Sequence, residues 1–304
     1  MEKQKLSHFK TISEFHRARN LPPPEHPLIS IINVQDIQHH SEPINMVMDY
    51  YSISLKRNFN GKFSYGQSEY DFDEGLMYFI APNQVFKIEH SEDELKRLQG
   101  WLLLIHPDFF WNTGLSKTIK QYDFFHYAVN EALFLSDKEE RVMNGIIENI
   151  QQEYHNNIDK FSQSIIVSQI ETLLNYSERF YQRQFITRKI PNHKILDTLE
   201  HTLNNYFKSD DLITKGLPTV QYISDALNIS PNYLSNLLKS LTGQSTQQHI
   251  HDKLISEAKQ KLSISNQSIS EISYQLGFEH SQSFSKLFKA KTHLSPLEFR
   301  KSFN

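Results

Sequence analysis

Two stretches near the C-terminus repeat each other, and the repeat constrains the fold of this 304-residue chain more than any other feature. Val220, Ile223, Leu227, Leu234, Leu237, Leu238, Thr242 and Ser245 are answered by Ile269, Ile272, Leu276, Phe284, Leu287, Phe288, Thr292 and Ser295. The offset is 49 residues in the first half and 50 in the second, so one copy carries an extra residue in its turn. Apolar positions three and four apart mark one face of a helix. Each copy therefore reads as a short helix, a tight turn and a second helix packed across the first. In the first copy Gln221 to Leu227 leads, Asn228-Ile229 turns, and Ser230 caps a helix that has Pro231 at its first position. In the second copy Ser270 to Leu276 leads, Gly277 supplies the turn without steric cost, and Phe278 fills the space between the helices. Such a unit is a helix-turn-helix.

The outward face of each second helix carries the chemistry. With Leu234, Leu237 and Leu238 inward, Asn232, Ser235, Asn236 and Lys239 share the opposite side, being three, four and seven positions apart. With Phe284, Leu287 and Phe288 inward, His280, Ser281, Gln282, Ser283 and Lys286 occupy the open N-terminal end of the second copy. Asparagine and glutamine can read adenine through N6 and N7, lysine can donate to guanine, and serine suits bases or phosphates. Ser230 and Ser281 lie near helix N-termini, whose free N–H groups attract phosphate oxygens. A polar face on a surface helix is also what plain solvation produces, so one copy alone does not decide the matter. Two copies do more: Ser245 to Leu262 reads as a linking helix of about 27 Å. That suits two readers set about 34 Å apart in successive major grooves.

Upstream, residues 30 to 106 read as short strands in which β-branched and aromatic residues alternate with polar ones. The candidates are Ile44 to Arg57, Lys62 to Tyr65, Leu76 to Ile80, Val85 to Glu89 and Gln99 to His106, broken at Asn60-Gly61, Gly75 and Ala81-Pro82-Asn83. The pattern fits a small barrel or sandwich and equally any antiparallel sheet. From Ser136 the period becomes helical, with Val142, Ile146, Ile147 and Ile150, then Ile165, Ile166, Ile170, Leu173 and Leu174. Ser136 is a candidate N-cap. This helical pair suits either internal packing or a dimer seam, and Pro191 marks the next boundary, before a helix from Asn192 to Phe207. The expected division is 1–135, a sensing or dimerising domain; 136–190, a helical connector; and 191–304, the doubled helix-turn-helix domain.

Composition narrows the remaining choices. There is no cysteine, which removes disulfides, thiolate metal sites and a cysteine nucleophile. Residues 192 to 304 carry 12 basic and 10 acidic side chains against 20 and 25 in residues 1 to 191, so charge alone would not suggest nucleic acid. The N-terminus, MEKQKLSHFKTISEF, has no apolar run of signal length, and no stretch is long enough to span a bilayer, so a cytoplasmic protein is expected. The fifteen histidines do not cluster at ligand spacing. His39-His40 cannot share a strand face, His249-x-His251 fall on different helix faces, and His106, His126 and His155 lack partners at ligand spacing. With nine glycines and no HExxH, Gly-x-Ser-x-Gly or phosphate-cradling loop, neither catalytic nor metal-ligating residues nor a cofactor are expected.

Residues 219 to 301 resemble the DNA-binding domain of the AraC/XylS transcription regulators. The likeness rests on ISDALNISPNYLSNLLKSLTG in the first copy and, in the second, on Ile272, Leu276-Gly277-Phe278, Ser283-Phe284, Phe288-Lys289, Ser295-Pro296 and Phe299-Arg300. It implies that Asn232, Ser235 and Asn236 stand at base-contacting positions of the first recognition helix, and Ser281, Gln282, Ser283 and Lys286 at those of the second. Asn236 stands where many relatives carry arginine, which implies a softer, more adenine-biased first half-site. Lys253 replaces the usual arginine of the linking helix, and His293 stands where glycine usually ends the last recognition helix. The N-terminal part is more loosely similar to the cupin-like barrel that such regulators often place first. Gly75 to Phe86 resembles a turn and strand of that barrel, and Trp101 to Phe110 the strand and corner after it. Metal-binding cupins use a His-x-His pair with Glu and a distant His; Tyr50, Tyr51, Ser52 and Phe86 stand in the corresponding strands here.

The reading is thus an α+β protein: a cupin-like β-barrel, a helical connector and an all-α double helix-turn-helix domain. Its function is that of a transcription regulator, an activator by family resemblance, with recognition helices at about 230–241 and 280–291. Its partners are double-stranded promoter DNA, RNA polymerase, a small-molecule effector and a second copy of the chain as a homodimer. Aromatic residues such as Tyr50, Tyr51, Phe63, Tyr65, Tyr78 and Phe86 offer apolar walls and hydroxyls to a small ligand held by the barrel. By period 2 about half of them point outward and most of the inward ones are core, so the sequence does not say which line a pocket. Two alternatives stay open: a metal-dependent cupin enzyme with a DNA-binding tail, and a dimeric regulator without ligand.

Overall fold

The computed structural model describes residues 6–38, 44–57, 75–88, 99–128, 131–155, 161–187 and 189–302. Two compact units divide in sequence between Gln184 and Phe185.

The first unit is mixed helix and sheet. Its strands are β1 (Leu6–Phe9), β2 (Ile29–Asn33), β3 (Ile44–Met48), β4 (Tyr51–Arg57), β5 (Gly75–Ile80), β6 (Phe86–Ile88), β7 (Gln99–Ile105) and β8 (Leu133–Leu135). They form a three-stranded sheet, β1-β3-β6, and a five-stranded sheet, β2-β7-β4-β5-β8. β1 runs parallel to β3; the other pairs are antiparallel. Among the described residues the two sheets do not join into a closed ring, so the barrel expected from sequence is seen as two sheets. The span Ile44 to Arg57, expected as one strand, is two, broken by the bend at Asp49-Tyr50. Lys62 to Tyr65 and Asn60-Gly61 lie outside the described residues. The Ala81-Pro82-Asn83 corner is present. Asn83 takes a φ of 65°, which asparagine tolerates, and its N–H donates to the Met48 carbonyl at 2.7 Å.

Register assigns the strand residues to two faces. Ile53 sits opposite both Leu103 and Phe79, and Leu55 opposite Trp101 and Met77, so Tyr51, Ile53, Leu55, Phe79 and Leu103 share one face. Aromatic rings line it: Tyr51 meets Phe125 at 5.0 Å and Phe79 meets Phe124 at 4.4 Å. The other face, with Ile32, Leu104 and Ile80, packs with Met48, Tyr50 and the Ile12 and Phe15 side chains of α1 (Ile12–Ala18). A short α2 (Leu115–Thr118) lies in the run of turns between β7 and β8.

The helices expected from Ser136 onward are α3 (Asp137–His155) and α4 (Ser162–Thr187). Ser136 does not cap α3 by accepting. Its N–H and hydroxyl both donate to the Glu139 carboxylate, at 2.9 and 3.0 Å. Up to Gln184 this segment, expected as a connector, belongs to the first unit. Arg183 of α4 forks onto Glu139 at 2.9 and 2.8 Å, and Gln184 accepts the Phe134 N–H at 2.9 Å while donating to the Ala132 carbonyl. Trp101 donates its indole N–H to Asn144 at 2.9 Å. Glu140 is buried and is answered by Arg57 at 2.6 Å, and Gly75 has no Cβ because one would lie 2.6 Å from that carboxylate. A buried carboxylate needs such a partner, since desolvation alone would neutralise it.

The second unit is helical: α5 (Lys189–Lys208), α6 (Asp211–Lys215), α7 (Val220–Leu227), α8 (Pro231–Thr242), α9 (Thr246–Ile264), α10 (Ile269–Gln275), α11 (Ser281–Thr292) and α12 (Pro296–Lys301). The long α9 packs against α8, α10 and α12, so it links the two copies of the repeat. Its 19 residues give a length of about 28 Å. The apolar repeat becomes the core: Ile223, Leu234, Leu237, Leu238, Ile272, Leu276, Phe284 and Phe288 are all fully buried. Each such side chain contributes roughly 1.5–3 kcal/mol by leaving water.

Candidate nucleic-acid interface

Each recognition helix is set by the turn before it. In the first copy α7 begins at Thr219, whose hydroxyl accepts the Tyr222 N–H, and ends at Asn228 in the left-handed region, φ 55° and ψ 41°. Ile229 is buried behind that turn, and the Ser230 hydroxyl accepts the Tyr233 N–H at 3.3 Å to start α8. In the second copy a capping box of Ser268 and Glu271 starts α10, and Gly277 makes the turn at φ 80°. A Cβ on Gly277 would come within 2.5 Å of the Leu212 carbonyl oxygen and 3.0 Å of the Gly216 Cα, so the backbone of α6 and its C-cap crowds this turn and only glycine fits. Phe278 then packs on Phe284 at 5.5 Å, in the core role expected of it.

The expected contact residues fall where α8 and α11 leave the core. On α8, Asn232, Ser235 and Asn236 are half-buried and Lys239 is exposed, opposite buried Leu234, Leu237 and Leu238. Ser230 is half-buried and committed to its cap. The Ser235 hydroxyl lies 3.2 Å from that of Thr246, which is fully buried at the start of α9, so this serine faces inward as much as out. On α11, His280, Gln282, Ser283 and Lys286 are exposed and Ser281 is half-buried. His280 stands at the N-cap position without capping by its side chain.

Lys289 was not among the residues expected to contact DNA, and it is exposed on the same stripe. Gln282, Lys286 and Lys289 stand at i, i+4 and i+7, as Asn232, Asn236 and Lys239 do, and the offset of 50 maps each onto its counterpart. The signal was in the repeat: position 289 is the answer to Lys239.

The linking helix adds polar groups. His249 lies 2.9 Å from Thr242, Asp252 takes Lys291 at 2.9 Å, and Lys253 is paired with Glu257 at 2.7 Å. Burial holds both His249 and His251 below the usual histidine range. Glu271 and Glu298 are held below the usual carboxylate range by the N–H groups of Ser268 and Ser295. His293 closes α11 in the left-handed region at φ 64°, where Gly243 closes α8 at 74°. Among the described residues no group of histidine, aspartate and glutamate side chains is placed to hold a metal, and no helix is long and apolar enough to cross a membrane.

Residues 223–302 match the family model described as a helix-turn-helix domain. The raffinose operon transcriptional regulatory protein of Pediococcus pentosaceus is 37% identical over 84 residues, 28% of this chain and 30% of that protein. The match thus spans about a third of that relative's length. The HTH-type transcriptional activator RhaS of Escherichia coli O81 is 24% identical over 258 residues, 83% of this chain and 85% of that protein. The solved DNA-binding domain of the transcriptional factor AdpA in complex with a target DNA covers 36% of this chain and 91% of its own, at 17% identity and a TM-score of 0.31.

Proposed function

We propose that this chain, whose C-terminal helices are a helix-turn-helix domain of the AraC/XylS type, is a transcription regulator that reads promoter DNA with α8 and α11. The observation that carries the reading is the doubled stripe on those helices. Asn232, Asn236 and Lys239 recur as Gln282, Lys286 and Lys289, each set backed by a buried apolar face and joined through a helix of about 28 Å. Amide heads suit adenine edges, and lysines suit guanine or phosphate. Ser281 and Ser283 stand at the open start of α11, where phosphate oxygens are favoured. A pair of readers so linked addresses successive major grooves on one side of the duplex.

The first unit takes the sensing and dimerising part in this reading. Its two sheets are taken as the cupin-like sensing part. A small effector, a second copy of the chain and RNA polymerase are the partners through which an activator of this kind works in the cytoplasm. In this reading the protein acts by binding.

The test is recovery of bound fragments from sheared genomic DNA by the purified full chain, followed by nuclease footprinting. The expected result is a protected site with two half-sites about 10 base pairs apart on one side of the helix. Retention that does not distinguish one fragment from another would sink the reading.

A further inference from the structure

The inward faces of the two recognition helices match until their last turns. On α8 the line Leu234, Leu237, Leu238 continues at i+7 to Leu241, and on α11 the line Phe284, Leu287, Phe288 continues to Lys291. A lysine thus stands where the repeat has an apolar residue. It reaches the linking helix and meets Asp252 at 2.9 Å. α9 packs against α8, α10 and α12, and among the described residues this ion pair is its one polar contact with α11.

The same carboxylate has a second partner. Its Oδ1 takes the Lys291 ammonium, and its Oδ2 accepts a side-chain N–H of Gln244 at 2.8 Å. Gln244 belongs to the turn that follows α8, one residue after Gly243 closes that helix in the left-handed region. The end of α8 is fastened to α9 at one more point. The Thr242 hydroxyl donates to the Leu238 carbonyl, so it is His249 Nε2 that donates to the hydroxyl, at 2.9 Å. Asp252 therefore ties the trailing ends of α8 and α11 to one place on the linking helix. The Asp252 side chain is 43% exposed and that of Lys291 29%, so the pair adds little to stability. What it constrains is position, because a carboxylate held at both oxygens cannot turn without losing a partner.

We propose that Asp252 is a positioning residue for DNA reading: by holding Gln244 and Lys291 together it fixes the angle between α8 and α11, and with it the half-site spacing that the chain accepts. The inference rests on the reading of those helices as DNA readers. Two readers in successive major grooves must match a separation of about 34 Å, and one base pair more or fewer shifts the second half-site by about 3.4 Å and turns it by about 36°. Apolar contacts are non-directional and tolerate small rotations of α11, whereas a charged hydrogen bond at its last turn is directional.

The absence of cysteine from the chain makes the angle measurable. Spin labels on Lys239→Cys and Lys289→Cys, both exposed positions, report the distance between the two helices in the full chain without DNA. Asp252→Ala and Lys291→Ala should each broaden that distribution. The exchange of Asp252→Lys with Lys291→Asp should narrow it again, since Gln244 can turn its amide oxygen toward the new lysine. On unlabelled chains, binding to the footprinted site is compared with binding to sites that carry one base pair more or fewer between half-sites. Preference for the natural spacing should fall about two- to fivefold in the alanine variants, the range that an exposed pair carries, and return in the exchange. A ratio between spacings cancels the change in phosphate attraction that comes with removing a charge, because every site shares it. Melting temperatures should hardly differ among the folded variants. The proposal is overturned if the distribution stays narrow in both alanine variants, or if a chain that selects DNA keeps its spacing preference in both. It is overturned too if the exchange, folded by its melting curve, restores neither measure, which would assign the loss to packing. A chain whose distances broaden but which selects no DNA fails as a regulator, while the coupling of the two helices through Asp252 stands. Specific DNA retained with unbroadened distances keeps the regulator reading and removes this role of Asp252.

Discussion

The two copies of the helix-turn-helix share a skeleton and differ in how much of their reading face is free. Position for position, Leu234, Leu237 and Leu238 become Phe284, Leu287 and Phe288, and both following helices start on a serine-led capping box, Ser245 with Gln248 and Ser295 with Glu298. The difference begins one residue before the first core leucine. Tyr233 is buried and meets Phe185 at 5.0 Å, whereas its counterpart Ser283 is exposed. Ser235 is drawn to the buried Thr246 hydroxyl, and Pro296, the counterpart of Thr246, offers the second copy no such group. The second copy also carries Lys286 where the first has Asn236. The first helix is therefore held harder by its own domain, and the second presents more charge and more open side chains to a partner. Affinity is expected to be concentrated on α11, with α8 fixing register.

The largest test of this contrast lies in the turns. Gly277→Ala should cost roughly 3 kcal/mol or more, because strain at positive φ adds to collision with the Leu212 carbonyl, and heat or urea unfolding of the second unit would show it. The matching Asn228→Ala, in a turn that already tolerates a side chain, should cost about 1 kcal/mol. Equal losses would mean that the two turns are not built differently.

Next come the lysines. Lys286→Ala and Lys289→Ala should each flatten the dependence of log affinity on log salt by about 0.9, and Asn236→Lys should steepen it by the same amount. Binding titrations across salt concentrations read all three. An Asn236→Lys chain with an unchanged slope would place α8 away from the backbone. Smaller still is His293→Gly, expected to stabilise the second unit by about 1 kcal/mol by relieving a left-handed histidine, with DNA affinity unchanged.

The smallest effect is a pH dependence confined to one copy. Glu271 and Glu298 cap the second copy, while Tyr222 and Gln248 hold the corresponding places in the first. Both carboxyls titrate below their unfolded value of 4.5, so their contribution is present above that pH and is lost as pH falls through the folded value. Amide exchange should loosen α10 and α12 on acidification before α7 and α9. The reverse order would contradict the assignment of those caps.

Much of the second unit was legible because its information is local. Ser230, Pro231, Gly277 and Ser295 signal helix ends through their own backbone preferences, and the apolar spacing predicts the helices within a few residues. Lys289 was missed by stopping at the N-terminal end of α11, although the repeat itself pointed to it. The half-burial of Ser235 was not legible, because Thr246 meets it only after α9 folds back. In the first unit, β5 and β7 were readable from alternation, and α3 and α4 from helical period. β1, β2 and β8 were not expected as strands, since short edge segments take their partners from distant sequence. Nor was the single expected strand from Ile44 to Arg57 seen to bend at Tyr50, where the chain passes from one sheet to the other.

By itself the sequence determined the doubled helix-turn-helix, its core and the identity of its polar stripes, because helix period, caps and turns act over a few residues. Tertiary structure alone decided which of those polar groups are spent inward, that the helices expected as a connector belong largely to the first unit, and that Glu140 is buried against Arg57. Those outcomes depend on which distant residues come into contact, and burial and pairing are properties of contacts that no single segment contains.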